Sequence, residues 1–179
     1  MRDKLQQFVK LIDDQFTYGG KKYALTTTKE STDMLFDIHG YRWLVGTMHK
    51  YIFRYTNLAR ERDLLKIATY CYIMWLKRGF HLGPRGTKNV IDTTVEIKSK
   101  YFNVFIDDVL IQDVEELPSE GRLDTIGHIF SVWSRREWYD ITEEDLFKVF
   151  HLCYAIWESN YSDKEVHDTD TYNTTDKQR

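Results

Sequence analysis

Between Trp43 and Tyr55 the chain interleaves cations with aromatic rings at helical spacing. Lys50 and Arg54 lie four residues apart and share a face, as do Tyr51 and Tyr55, while Arg42, Trp43 and His49 belong to the same predicted helix. Guanidinium and ammonium groups meet phosphate oxygens, and ring faces stack on nucleobases at roughly 1–3 kcal/mol per base. Such a set suits a phosphorylated aromatic ligand; it also fits a solvated cationic face bordered by tyrosines. Further along, Asp63-Leu64-Leu65-Lys66 places a carboxylate where a helix start favours one, and an ammonium about one turn later. The pair reads either as a cap with its neighbour or as contacts to phosphate and ribose. A third group, Gly19-Gly20-Lys21-Lys22-Tyr23, could bring backbone amides and lysines to an anion, although the P-loop spacing ending in Gly-Lys-Ser/Thr is absent and an ordinary turn fits equally. The candidate ligand-binding residues are therefore Lys21, Lys22, Tyr23, Arg42, Lys50, Tyr51, Arg54 and Lys66, with Trp43 and Tyr55 as further contacts to a base.

Other chemistries are thinner. Glu30, Asp33 and Asp37 fall on one helix face, with Glu61 and Asp63 as partners from another helix. That set would hold magnesium for pyrophosphate hydrolysis, or simply form a solvated acidic face. The six histidines show no His-Glu-x-x-His spacing and the two cysteines no CxxC pair, so no zinc site is expected. No nucleophile stands out, and no catalytic residue is assigned. Trp133, Trp138 and Tyr139 could instead anchor a protein partner.

These residues need a scaffold, and its strongest sign is a repeat. Asp63 to Trp75 and Asp145 to Trp157, 82 residues apart, agree at six of thirteen positions, and both cysteines occupy the same slot. A duplicated helical module predicts an all-α bundle in two related halves, 1–83 and 84–160, joined by a Gly/Pro-containing hinge and followed by a polar, flexible tail, 161–179. Apolar periodicity places helices near 2–17, ended by Gly19-Gly20, from about Thr26 with Thr27 and Glu30 as a capping box, near 41–55, and from Asp63 to about Gly79. In the second half the segment 90–97 is ambiguous between strand and helix. Helices follow around Phe102 to Leu110 and Leu123 to Trp133, and from Thr142 as cap to Glu158.

Size and composition limit the partners. The 179 residues, 42% hydrophobic and 15% aromatic, can fill a large core without disulfides, and Cys71 and Cys153 read as buried thiols. No stretch approaches the roughly 20 apolar residues of a membrane span, and the start lacks a signal-peptide core, so a cytoplasmic location without membrane contact is expected. A formal net charge of −3 disfavours duplex nucleic acid. A homo-oligomer is compatible with the repeat.

Lys50-Tyr51-Ile52-Phe53-Arg54, a short polar link and Asp63-Leu64-Leu65-Lys66-Ile67-Ala68-Thr69-Tyr70 together resemble a small helical module of bacteriophage proteins, the phage nucleotide kinase-associated domain, with its KYxxR and DLxKAxxY patterns. Phe16 to Ala24 is similar to the FGAKKYA opening of phage dATP/dGTP diphosphohydrolase-like proteins. Both are similar in style to all-α nucleotide pyrophosphohydrolases of the MazG type. The resemblance implies a nucleotide phosphate site on the basic face and, by the MazG analogy, Mg2+ on an acidic set. The chain departs from that model where an ExxD pair is expected, carrying Asp63 and Lys66 instead. It therefore favours binding of a nucleotide or nucleotide-derived small molecule, such as a host defence signal sequestered in the host cytoplasm. A metal-dependent pyrophosphohydrolase and a protein-binding inhibitor are the alternatives, and only the former requires a cofactor.

Overall fold

The structure, a computed structural model, describes residues 2–22, 31–83, 95–111 and 117–163. They form an all-α bundle: α1 (Arg2–Lys22), α2 (Ser31–His39), α3 (Tyr41–Leu58), α4 (Glu61–Lys77), α5 (Val95–Ile111), α6 (Arg122–Trp133) and α7 (Glu143–Asn160), with short 3-10 turns at Phe80–Leu82 and Trp138–Asp140. No strand occurs among the described residues. The helical part of the ambiguous 90–97 segment begins at Val95, while 90–94 lie outside the described residues. The predicted Thr27/Glu30 capping box and the hinge at Arg85-Gly86-Thr87-Lys88 lie outside them too.

The repeated segments build the centre. Leu64, Ile67, Cys71, Met74 and Trp75 of α4 are buried, and so are Leu65, Ala68, Tyr72 and Leu76, so this helix is covered almost all round rather than on one stripe. It packs against α1, α3, α5 and α7. One continuous core spans both predicted halves, from Phe8 of α1 to Trp157 of α7. Truncating a tryptophan at such a fully buried position typically costs about 3–5 kcal/mol.

The α4–α7 contact is reciprocal. Trp75 donates its indole N–H to Glu143 Oε1 at 2.6 Å, and Trp157 donates to Glu61 Oε1 at 2.7 Å. Each tryptophan ends its own repeated segment, and each glutamate opens the helix of the other. The two helices therefore run antiparallel and exchange equivalent contacts, as the two sides of an isologous interface do. Cys71 and Cys153 are buried free thiols; burial pushes the Cys71 thiol well up, and the neighbouring Cys153 adds to it.

Helix ends follow local chemistry with two departures. Gly40, at φ 75°, separates α2 from α3. Thr142 caps α7 in a capping box, its side chain accepting from the Asp145 N–H at 3.1 Å. By contrast, α1 does not stop at Gly19-Gly20 but runs on to Lys22. Each glycine costs about 1 kcal/mol in a helix interior, too little to end a helix already propagating. The link before α4 is also shorter than predicted: α3 continues to Leu58, and Ala59 turns the chain in the left-handed region at φ 47°. Tyr161 fastens this turn by donating to the Ala59 carbonyl at 2.6 Å. Although predicted to belong to a tail outside the core, Tyr161 is buried, because its ring packs on Tyr55. Residues 164–179 lie outside the described residues.

Candidate functional site

The α3–α4 hairpin opens into a half-open pocket of about 260 Å³, bordered by Gln15 and Phe16 of α1 and by Ser31, Thr32 and Leu35 of α2. From α3 come Trp43, Thr47, Lys50 and Tyr51; from α4 come Lys66, Thr69, Tyr70 and Ile73. Helical period explains the convergence. Trp43, Thr47 and Lys50 form one i, i+4, i+7 stripe, and Lys66, Thr69, Tyr70 and Ile73 form another. The hairpin turn at Ala59 brings the two stripes together.

Tyr51 is the centre of this site. Its ring carries the Lys50 ammonium at 4.9 Å, the Lys66 ammonium at 4.9 Å and, farther off, the Arg54 guanidinium at 5.8 Å. Lys66 also donates to the Tyr51 hydroxyl at 3.4 Å, and Tyr70 stacks on Tyr51 with ring centroids 5.9 Å apart. Ring faces attract cations, so the tyrosine holds the ammonium groups close together despite their mutual repulsion. Among the described residues neither Lys50 nor Lys66 makes an ion pair, and no described residue lining the pocket is acidic. Burial lowers Lys66 to about 8, Arg62 and Arg54 push it the same way, and Asp63 opposes them. Among the described residues positive charge is concentrated against aromatic walls, with the buried Asp63 as the carboxylate acting on Lys66. The start of α2, where Ser31 and Thr32 line the pocket, adds the positive end of a helix.

Other predicted ligand residues are placed differently. Arg54 lies beside the pocket, 3.7 Å from the fully buried Asp63 carboxylate. Burial raises Asp63, against the pull of Arg54 and neighbouring cations. Asp145 completes the capping box of α7, whereas Asp63, at the third position of α4, makes no cap but stands in the first turn, where the positive end of a helix favours a carboxylate. Arg42 points away, donating to the Ser134 carbonyl at 2.9 Å with its guanidinium over Tyr41, because it stands on the opposite edge of α3. Tyr55, proposed to meet a base, is buried, its hydroxyl 3.2 Å from that of Tyr161, whose own proton goes to the Ala59 carbonyl. Lys21 and Lys22 fall in the last turn of α1, so the expected glycine loop around an anion is replaced by helix; Tyr23 lies outside the described residues.

The acidic set does not gather either. Asp33 is buried between two buried lysines, with Lys77 Nζ at 3.0 Å from one carboxylate oxygen and Lys98 Nζ at 2.8 Å from the other. Burial works against its charge, but the Lys98 and Lys77 ammonium groups outweigh it and hold Asp33 below the usual carboxylate range. With both oxygens engaged by ammonium groups, it is a poor magnesium ligand. Glu61 accepts from Trp157, and Glu30 lies outside the described residues. Among the described residues no group of three or more His, Cys, Asp or Glu is arranged to hold a metal ion. Two of the three aromatics considered as protein anchors, Trp133 and Trp138, are buried in the core, leaving Tyr139 exposed.

Sequence reasoning missed Tyr70 and Phe16 as walls of the pocket. Tyr70 was within reach, since it lies four residues after Lys66 and so on its face; Phe16 depends on how α1 crosses the hairpin, which no local pattern encodes. Among the described residues no helix is long and apolar enough to cross a membrane. The chain matches no protein-family model, no curated protein and no solved structure.

Proposed function

We propose that the protein binds a nucleotide or nucleotide-derived small molecule in the α3–α4 pocket and holds it without hydrolysis. The observation that carries this reading is the convergence of Lys50 and Lys66 on the Tyr51 ring, with Trp43 and Tyr70 alongside and no carboxylate among the described lining residues. Phosphate oxygens would meet the two ammonium groups and the start of α2, while the base would lie against the aromatic wall. Hydrolysis would need a metal-holding acidic set or a general base at the phosphate. Among the described residues, Asp33 and Asp63 are instead buried beside cations, Asp33 with Lys77 and Lys98 and Asp63 with Arg54. The bacteriophage resemblance of the same two helices fits a role in sequestering a host defence signal in the cytoplasm.

The test is thermal unfolding against mono- and dinucleotides with and without magnesium, followed by chromatography of the recovered ligand. A ligand at ~100 times its dissociation constant adds roughly 2.7 kcal/mol of stability. Stabilisation is expected without magnesium, with the ligand recovered intact, and Lys66→Met should abolish it. Cleaved ligand would replace this reading with an enzyme, and a flat response across the panel would overturn it.

A further inference from the structure

A second depression lies on the outer face of α3, lined by Gly46, His49, Lys50, Phe53, Arg54 and Asn57 together with Leu58. Lys50 borders both hollows, so its side chain stands between them. The second hollow has its own aromatic platform: His49 and Phe53 lie nearly parallel, 16° between planes with centroids 6.1 Å apart. Phe53 is 65% exposed, whereas His49 is fixed from behind by the edge of Phe130, its ring centroid at 5.5 Å. A Cβ added at Gly46 would meet nothing within 4 Å, so the floor beside the platform is open. Arg54 borders it, close enough to the shared Lys50 to contact the same anion.

Resting on the nucleotide-binding reading, we propose that the ligand is of the dinucleotide type. One base enters the α3–α4 pocket, the linking phosphate crosses Lys50, and the second base stacks on the His49–Phe53 platform. Size points the same way. The inner pocket measures about 260 Å³, at the lower edge of most small-molecule sites, and the second hollow about 480 Å³, so together they offer room for a ligand larger than a mononucleotide. Such a ligand would pass from one to the other beside Lys50, and Phe53 lies three residues on, about 4.5 Å along the helix axis. An exposed aromatic pair next to cations has the chemistry of a stacking platform for a base.

Calorimetric titration of the full chain with 5′-AMP, 5′-GMP and the linear dinucleotides pApA and pGpG tests this. A dinucleotide should bind at least about tenfold more tightly than its mononucleotide. Phe53→Ala, which removes an exposed ring and leaves the core intact, should erase that advantage while mononucleotide affinity stays within about twofold; His49→Ala should act in the same direction. Lys66→Met should weaken both ligand classes. Dinucleotide binding no tighter than mononucleotide binding, or tighter binding indifferent to Phe53→Ala, overturns the two-base inference and leaves the pocket reading standing. Absence of binding by every member of the set overturns both.

Discussion

Lys66 makes the pocket sensitive to protons. Its folded value of about 8 lies below the ordinary 10.5 because burial and the nearby arginines disfavour its charge. Below pH 8 the lysine is charged in both folded and unfolded chains, and the folded state bears the cost of burying that charge. Between about 8 and 10.5 the unfolded chain holds a proton that the folded one has released, so stability should rise with pH across this window. An anion reverses the balance by favouring the ammonium form. Binding near pH 8.5 should therefore take up a proton, and affinity should fall as pH rises further. Titrations in buffers of differing ionisation enthalpy read that uptake directly; affinity independent of pH from 7 to 10 would remove Lys66 from the anion site. The residues behind this behaviour were legible because each repeats at helical spacing. Arg42 was misplaced for a complementary reason. Position along a helix shows which residues share a face, whereas only packing shows which face meets the pocket.

At the scale of elements, the buried Lys77–Asp33–Lys98 group ties α2 to the end of α4 and the beginning of α5. One carboxylate serves two ammonium groups in a site closed to water. Asp33→Asn would remove the carboxylate that both ammonium groups share, and breaking a buried pair in this way costs roughly 3–5 kcal/mol. Urea denaturation should show that loss, and a change within 0.5 kcal/mol would mean that the lysines find other partners. Asp33 reads in sequence as one of three acids on a helix face because its lysine partners lie far away in the chain. The helices themselves were more readable than their ends. Strong apolar periods marked α3, α4 and α7, while α1 overran two glycines because propagation outweighs their small individual penalty.

For the whole molecule, the governing feature is a helix enclosed by the others. α4 exposes little of its surface, and part of its cover comes from α7 in the other half of the chain. A chain ending at residue 83 should therefore lack cooperative unfolding and bind hydrophobic dyes. A sharp thermal transition in that fragment would show the first half to be self-sufficient. The repeat was visible in sequence and led to the expectation of a bundle in two related halves; the exchange of Trp75 and Trp157 with the opposite glutamates was not, since Glu61 and Glu143 acquire their roles only once the helices meet. That exchange also sets a timetable for synthesis. Trp157 is made 82 residues after Trp75, a delay of roughly 4–16 s at about 5–20 residues per second. During that interval the nascent chain carries an apolar helix whose final partner does not yet exist. A ribosome paused before Glu143 would therefore hold a natural client for chaperones, and slower decoding between the two tryptophans would lower the yield of folded protein without altering a single residue.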